Sequence, residues 1–204
     1  MKVQLPTLSL RDRVAAFAHA YASTPAAWPW LTTEDGRDVL YGVWVVGQDY
    51  RNKAAYYGTY PPRFLDHVMA LFPDVEGQDI LHVFSGALPP GDYTRVDVNP
   101  LLKPDVVGDV YDVATLFPDR KFFLQIADPP YSDDDAVNYG TVMVDRYRVT
   151  QALAAVAPVG GYLAWLDCVW PMHTKTQWVT VGRIYLQRAT NHRVRVLSLF
   201  QRVA

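Results

Sequence analysis

Short apolar runs alternate with polar connections along most of this chain of 204 residues. A short apolar run bounded by turn formers is typical of a strand, whereas an apolar stripe at helical spacing predicts a helix. The runs predict strands over 39–46, 80–84, 93–98, 106–107, 121–127, 162–166, 178–187 and 193–200. The stripes predict helices over 9–22, 63–72 and 139–157. Ser9 is the expected N-cap of the first helix.

Alternating strands and helices predict an α/β sandwich with a mainly parallel sheet. Only 188–192 separates the last two strands, so we expect them to form an antiparallel C-terminal hairpin at the edge of the sheet. The segment 25–30, rich in Pro and Trp, is expected to be a loop. We divide the chain into an N-terminal helical arm with a strand over 1–55, packed on a core domain over 56–204.

Composition narrows the class of protein. Half of the residues are hydrophobic, which excludes global disorder. Cys168 is the single cysteine, which excludes an internal disulfide framework and cysteine-cluster metal sites. The chain begins without a segment of signal-peptide type, and no apolar run is long enough for a membrane helix. We therefore expect a cytoplasmic protein that needs neither a membrane nor a metal.

The charges are distributed unevenly, although the formal net charge is only −2. The stretch 168–204 carries six basic residues and no acid, so the first 167 residues carry 13 positive and 21 negative charges. Such asymmetry suggests a basic edge that can meet a polyanion. A solvated hairpin face would explain it equally well.

Chemically suggestive residues stand at the ends of four successive predicted strands. Ligands of open parallel sheets bind outside the carboxyl ends of the strands. Glycine there lets a ligand approach the backbone, and acids can accept from ribose hydroxyls or a ring amine. The four groups are Phe84-Ser85-Gly86, Asp97-Val98, Asp109-Val110 and Asp128-Pro129-Pro130-Tyr131.

The last of these groups is the most informative. The Asp128 carboxylate can accept from an amine, and the carbonyl of Pro129 can accept the second amine hydrogen. The face of Tyr131 can stack on a planar ring. The residues therefore suit chemistry on an aromatic amine. The alternative is an ordinary turn, because Asp, Pro and Ser are common turn formers.

In this order the four groups resemble the S-adenosylmethionine-dependent methyltransferases of the class I, Rossmann-like type, above all the nucleic-acid amino-methyltransferases with a DPPY motif. The resemblance covers roughly 56–202. It implies that Asp128, Pro129, Pro130 and Tyr131 hold the target amine. It also implies a binding site for S-adenosyl-L-methionine, with Tyr60 contributed by a preceding motif. The other residues expected to contact the methionine part, the ribose and the adenine of the cofactor are Phe84, Ser85, Gly86, Asp97, Val98, Asp109 and Val110.

The resemblance implies methyl transfer to an exocyclic amine of a nucleic-acid base, with adenine in DNA favoured over RNA. Methylation of RNA or a small molecule, and a non-catalytic binding protein on a degenerate scaffold, stay open as alternatives. Arg51 and Lys53 are candidate substrate contacts. No insertion resembles a target-recognition domain, so a homodimer or a partner subunit is expected to help in recognition.

One departure from the family pattern concerns the connection after the first core strand. Only eight residues separate Phe84 from Tyr93, whereas a parallel crossover normally takes about a dozen or more, usually with a helix. We expect the customary first helix to be missing or reduced to a turn.

Overall fold

Nine strands and five α-helices form the part of the chain that the computed structural model describes, residues 6–23, 27–46, 60–188 and 191–204. The strands are Ala27–Glu34 (β1), Arg37–Val46 (β2), Ile80–Val83 (β3), Thr94–Asp97 (β4), Val106–Val107 (β5), Leu124–Ala127 (β6), Tyr162–Asp167 (β7), Trp178–Arg188 (β8) and Asn191–Arg202 (β9). The helices are Leu10–Ala20 (α1), Phe64–Leu71 (α2), Val113–Leu116 (α3), Asp133–Asn138 (α4) and Arg146–Ala155 (α5). Within these ranges, no helix has the length and apolar character that a membrane crossing requires.

All the described strands join one sheet in the order β1-β2-β8-β9-β7-β6-β3-β4-β5. The pairs β2–β8, β7–β6, β6–β3, β3–β4 and β4–β5 are parallel. Strand β9 runs antiparallel to both of its neighbours, β7 and β8. The predicted α/β sandwich with a mainly parallel sheet and an antiparallel C-terminal hairpin is confirmed.

The position predicted for that hairpin was wrong, because β2 pairs in parallel with β8 and β1 closes this side of the sheet. The expected loop over 25–30 was also wrong, since 27–30 belongs to β1. A two-residue turn, Asp35-Gly36, joins β1 to β2 with both φ angles positive, 49° and 76°. Positive φ angles at both positions are typical of the turns that connect two-residue β-hairpins. Pro29 is tolerated because β1 is an edge strand.

Side chains cap three of the described helices, α1, α4 and α5, and one predicted helix needs correction. Ser9 caps α1 as predicted, and its side chain accepts a hydrogen bond from the Asp12 N–H. The single helix predicted over 139–157 was wrong. Helix α4 ends at Asn138, Gly140 adopts a left-handed φ of 69°, and α5 begins only after its N-cap, Asp145. Glycine is the residue that takes this conformation at least cost.

No helix lies between β3 and β4, where the described residues 84–93 form turns, bends and irregular backbone. The expected loss of the customary first helix is therefore confirmed. One buried cluster packs α1 and α2 on one face of the sheet and includes Phe17, Trp44 and Phe64. A second cluster packs α3 and α5 on the other face and includes Leu153 and Trp165. Between these layers, the carboxyl ends of β3, β4, β5 and β6 meet at one edge.

Candidate active site

A cavity of about 430 Å³ opens at this edge of the sheet. The four predicted groups of residues all line it, as does Tyr60. The groups follow four different strands, and the parallel pairing of β6, β3, β4 and β5 brings them together. The structure thus places every predicted site residue in its described part around one hollow. Arg51 and Lys53 lie outside the described residues.

The turn after β3 exposes its backbone to the cavity. Phe84 and Gly86 have left-handed φ angles of 57° and 55°, which fold the chain sharply at this point. Ser85 lies between them with only 3% of its surface exposed. Its Oγ atom has no hydrogen-bond partner among the described residues. Buried hydroxyl groups usually have a hydrogen-bond partner. A ligand atom in the cavity would supply this partner for Ser85 Oγ.

Asp97, the last residue of β4, ties this turn to the next strand. Its Oδ2 accepts from the Gly86 N–H at 2.8 Å, and its Oδ1 accepts from the Asn99 N–H at 2.9 Å. Each carboxylate oxygen has two acceptor sites. The carboxylate is therefore fixed in place and can still accept from hydroxyl groups of a ligand.

Asp109 follows β5 and is oriented in a similar way. Its Oδ1 accepts from the Tyr111 N–H at 3.0 Å and caps a short turn of helix. The carboxylate stays exposed, while the next residue, Val110, is 4% exposed. The pair therefore offers an acceptor and an apolar contact side by side.

Asp128 and Tyr131, which follow β6, form a direct pair. The Tyr131 hydroxyl donates to Asp128 Oδ1 at 2.5 Å. Burial raises the pKa of Asp128 to about 7, although the Tyr131 hydrogen bond and the Arg195 cation both lower it. Burial also raises the pKa of Tyr131 well above its usual value, so the phenol is a donor at neutral pH. Asp128 Oδ2 makes no hydrogen bond to the described residues and can serve a ligand.

A buried ion pair supports the Tyr131 backbone. Asp167, at the end of β7, is fully buried, and its carboxylate accepts from Arg146 Nε at 2.7 Å. It also accepts from the Trp165 indole at 3.2 Å and from the Cys168 N–H at 2.6 Å. The other end of the Arg146 guanidinium donates to the Tyr131 carbonyl at 3.3 Å. The motif after β6 is therefore tied to β7 and α5.

Tyr60 lines the cavity from the α2 side. Its hydroxyl lies 3.1 Å from Nδ1 of His82, a buried residue of β3. Burial lowers the pKa of His82 to about 4, with a smaller contribution from Arg95, so the imidazole is uncharged at neutral pH. The Tyr60 ring stacks on Phe64 with ring centroids 5.4 Å apart. These contacts fix the position of the ring in the cavity wall.

Several cavity residues were missed by the sequence reasoning. The segment 139–144 was hidden inside the predicted long helix, although Gly140 could have indicated a break there. Tyr111 lines the cavity, and its hydroxyl accepts from the Asp145 N–H at 2.7 Å. Arg195 also lines the cavity, with its guanidinium carbon 5.1 Å from the centre of the Tyr131 ring. The basic excess of 168–204 indicated its strand but not this individual residue.

Comparison with known proteins shows likeness at the level of the fold. No protein-family model matches this chain, and no curated protein matches it. Among solved structures, TrmN from Thermus thermophilus is similar over 73% of this chain, with a TM-score of 0.55 and 13% identity. An rRNA methylase from Streptococcus thermophilus matches 64% of this chain and 90% of its own, with a TM-score of 0.39 and 8% identity. The first of these likenesses carries the comparison.

The chain therefore has the Rossmann-like fold of methyltransferases. It spans about half of TrmN, 51% of that chain. At 13% identity the likeness defines the fold and not the reaction, because one fold can host many activities. Any assignment of activity must come from the cavity itself.

Proposed function

We propose that this chain transfers a methyl group from S-adenosylmethionine to an exocyclic amine of a nucleic-acid base, with adenine as the preferred base. The observation that carries the proposal is the shared cavity. It brings the acids after β4 and β5, Asp97 and Asp109, together with the carboxylate and ring after β6, Asp128 and Tyr131. An acid with a shifted pKa in a concave site, here Asp128, is a sign of function.

The residues around the β3–β5 ends fit the cofactor. The cavity volume of about 430 Å³ lies within the usual range for small-molecule sites. The unpartnered Ser85 Oγ and the turn at Gly86 would contact the amino-acid part, and Asp97 would accept from the ribose hydroxyls. Asp109 would accept from the adenine amine while Val110 contacts its ring. Bound there, the cofactor supplies an activated methyl group.

The residues after β6 would hold the target amine. Asp128 Oδ2 and the Pro129 carbonyl would accept its two hydrogens, which makes the nitrogen lone pair less conjugated with the ring. Asp128, whose pKa is about 7, is also suited to take up the proton that the amine loses. The supports from Tyr131 and Arg146 would fix the carboxylate for this role. Fixed orientation is the main contribution an enzyme makes when one reactant is already activated.

The proposal also names the polymer that carries the target base, with DNA favoured over RNA. The preference for DNA rests on the DPPY resemblance, and RNA has the same exocyclic amine on adenine. A base in a duplex must first be extruded at a cost of a few kcal/mol. Stacking on Tyr131 could offset much of this, since base–aromatic stacking contributes roughly 1–3 kcal/mol. Single-stranded DNA and RNA are therefore the first substrates to compare.

The test is incubation with methyl-labelled S-adenosylmethionine and separate pools of single-stranded DNA, duplex DNA, RNA and free nucleosides. Mass spectrometry of the digested nucleosides then locates the label. We expect the label on an exocyclic nitrogen, chiefly of adenine, and none with the Asp128→Ala variant. Label on a ring nitrogen, a carbon or a sugar would contradict the proposed role of the residues after β6.

A further inference from the structure

One face of the sheet carries exposed aromatic side chains across β1, β2 and β8. Side chains alternate between the faces of a strand. Leu40 and Trp44 of β2 are fully buried on the α1 side, so Tyr41 lies on the opposite face. On that face Trp30 is 47% exposed and Tyr185 is 36% exposed. In the described part of the chain, the β7–β8 connection over 168–177 contains no helix that could cover them.

Contacts join four residues at this face. The rings of Trp30 and Tyr41 stack with centroids 6.1 Å apart. Arg183 donates to the Tyr41 hydroxyl at 3.0 Å, and its guanidinium carbon lies 4.1 Å from the centre of the Trp170 ring. Trp170 itself is 50% exposed. We call Trp30, Tyr41, Arg183, Trp170 and Tyr185 the aromatic surface.

The register of the sheet explains part of this arrangement. Trp30 pairs with Tyr41 across β1 and β2, and Tyr41 pairs with Arg183 across β2 and β8. Cross-strand neighbours lie about 5 Å apart on one face. Backbone pairing therefore fixes the relative positions of Trp30, Tyr41 and Arg183, and Trp170 joins them from the β7–β8 connection.

Arg183 supplies positive charge at this surface. It forms no ion pair within the described residues, and its contacts are the Tyr41 phenol and the Trp170 ring. The Tyr41 hydroxyl also donates to Glu34 Oε1 at 2.7 Å, so one acid lies beside Tyr41 at the β1 end. The stretch 168–204, which supplies Trp170, Arg183 and Tyr185, has six basic residues and no acid. Aromatic rings next to arginine are the usual elements of a surface that binds single-stranded nucleic acid.

The aromatic surface also approaches the cavity. Tyr185 of β8 pairs with Val196 of β9, and Val196 pairs with Asp167 of β7. Paired residues share a face of the sheet, so Tyr185 and Asp167 lie on the same face. Trp170 comes three residues after Asp167, which anchors Arg146 and, through it, the Tyr131 carbonyl. A single-stranded nucleic acid lying on this surface would therefore extend towards the residues after β6.

We infer that the aromatic surface binds the single-stranded nucleic acid that flanks the target base, stacking bases on Trp170 and Trp30 while Arg183 meets the phosphates. The inference rests on the proposed function and deepens it by assigning the part of the chain that holds the polymer.

The test is the fluorescence anisotropy of labelled single-stranded DNA and RNA of 12 nucleotides, titrated with wild type, Trp170→Ala and Arg183→Gln. We expect Trp170→Ala to raise the Kd about tenfold, which corresponds to about 1.4 kcal/mol. Arg183→Gln should reduce the slope of log K against log salt by about 0.7, the value for one phosphate contact on a single strand. The matched control is Met172→Ala, in the same connection and 77% exposed but outside the aromatic surface; its Kd should equal that of wild type.

The outcomes separate this inference from the proposed function. Weakened oligonucleotide binding by the variants, with unchanged S-adenosylmethionine affinity and unchanged transfer to a free nucleoside, supports the aromatic surface. If the variants weaken oligonucleotide binding but the wild-type protein methylates none of the substrates, the result would support the aromatic surface and contradict the proposed activity. Variants that methylate and bind oligonucleotides like wild type would overturn the surface alone. A wild-type dimer that Trp170→Ala dissociates in sedimentation, without a change in oligonucleotide Kd, would overturn it in favour of a second copy.

Discussion

The Tyr131 hydroxyl donates to Asp128 Oδ1 at 2.5 Å, so the ring and the carboxylate after β6 form one unit. The bond occupies one carboxylate oxygen, while the other, Oδ2, makes no hydrogen bond to the described residues and can accept from a ligand. It also stabilises the charged form of a carboxylate that burial otherwise destabilises. In the proposed reaction, Oδ2 would accept from the target amine while the Tyr131 hydroxyl holds the carboxylate in place.

The first prediction concerns the carboxylate itself. Asp128→Ala should lower the rate of methyl transfer by at least about 100-fold, since it removes both an acceptor and a base. The affinity for S-adenosylmethionine should stay within a few-fold of wild type, because the cofactor residues follow other strands. Single-turnover kinetics and calorimetry measure the two quantities. Asp133→Ala, an exposed acid of α4 outside the cavity lining, is the control and should behave like wild type.

Tyr131→Phe sharpens this comparison, because it keeps the ring and removes the hydrogen bond to Asp128. We expect an intermediate loss of rate, about tenfold. Equal rates in Tyr131→Phe and wild type would show that the hydroxyl does not support the carboxylate. Loss of cofactor binding in Asp128→Ala would place this carboxylate in the cofactor site instead.

The second prediction concerns pH. In the proposed reaction Asp128 would accept the amine hydrogen only as a carboxylate, so the transfer rate should rise as pH increases through about 7. The charged and titratable groups that face it are Tyr131, Arg195, Asp167 and Tyr60. Arg195→Met removes the cation that lowers the pKa of Asp128, so the midpoint should move to higher pH.

The pH profile of the single-turnover rate checks this shift. Arg195→Lys keeps the positive charge and serves as the matched control, with a midpoint closer to that of wild type. A profile that is flat between pH 5 and 9, or a midpoint that moves to lower pH in Arg195→Met, would contradict the assignment of Asp128 as the titrating group.

The third prediction concerns the cofactor end of the cavity. Asp97→Ala leaves the N–H groups of Gly86 and Asn99 without their acceptor and removes the acceptor proposed for the ribose. Hydrogen bonds to charged groups contribute about 1.5–3 kcal/mol, so the Kd for S-adenosylmethionine should rise at least about tenfold. Calorimetry measures it, with the exposed Asp119→Ala as control. A wild-type protein that binds no cofactor at millimolar concentration would favour a non-catalytic binding protein.

The fourth prediction concerns stability. The Arg13 guanidinium is 1% exposed, donates to both oxygens of Asp74, and lies 4.6 Å from the centre of the Phe72 ring. Asp74→Asn leaves this buried cation without its counter-charge, which typically costs about 3–5 kcal/mol. The exposed pair of Arg11 and Asp38 is the matched control, and Asp38→Asn should cost less than about 1 kcal/mol. Urea unfolding at pH 7 measures the free energy of unfolding of both variants. Equal losses would contradict the larger contribution that we assign to the buried ion pair.

Much of the core could be predicted from the sequence, because its strands are short apolar runs that end in polar residues. The runs gave the positions of β3, β4, β6 and β7 to within a few residues. The cavity followed from one general rule, that parallel strands present their carboxyl ends at the same edge. That rule applied because the acids and the DPPY residues come directly after those strands.

The errors arose where local signals competed. The Pro and Trp residues of 25–30 favoured a loop. Asp35-Gly36, a pair that is typical of two-residue hairpin turns, could have indicated the hairpin of β1 and β2 but was not used. The helical spacing of 139–157 concealed the break at Gly140. Arg195 could not be assigned to the cavity from sequence, because its position depends on pairing between β9 and β7, which are distant in the chain.

The most direct measurement of the central claim is a crystal structure of the protein with S-adenosylhomocysteine. We predict that the ribose hydroxyls lie within hydrogen-bond distance of Asp97 and that the adenine amine approaches Asp109. The sulfur should then face Asp128 and Tyr131 across the same cavity. Density for the ligand at another surface, or a sulfur pointing away from the residues after β6, would contradict the account.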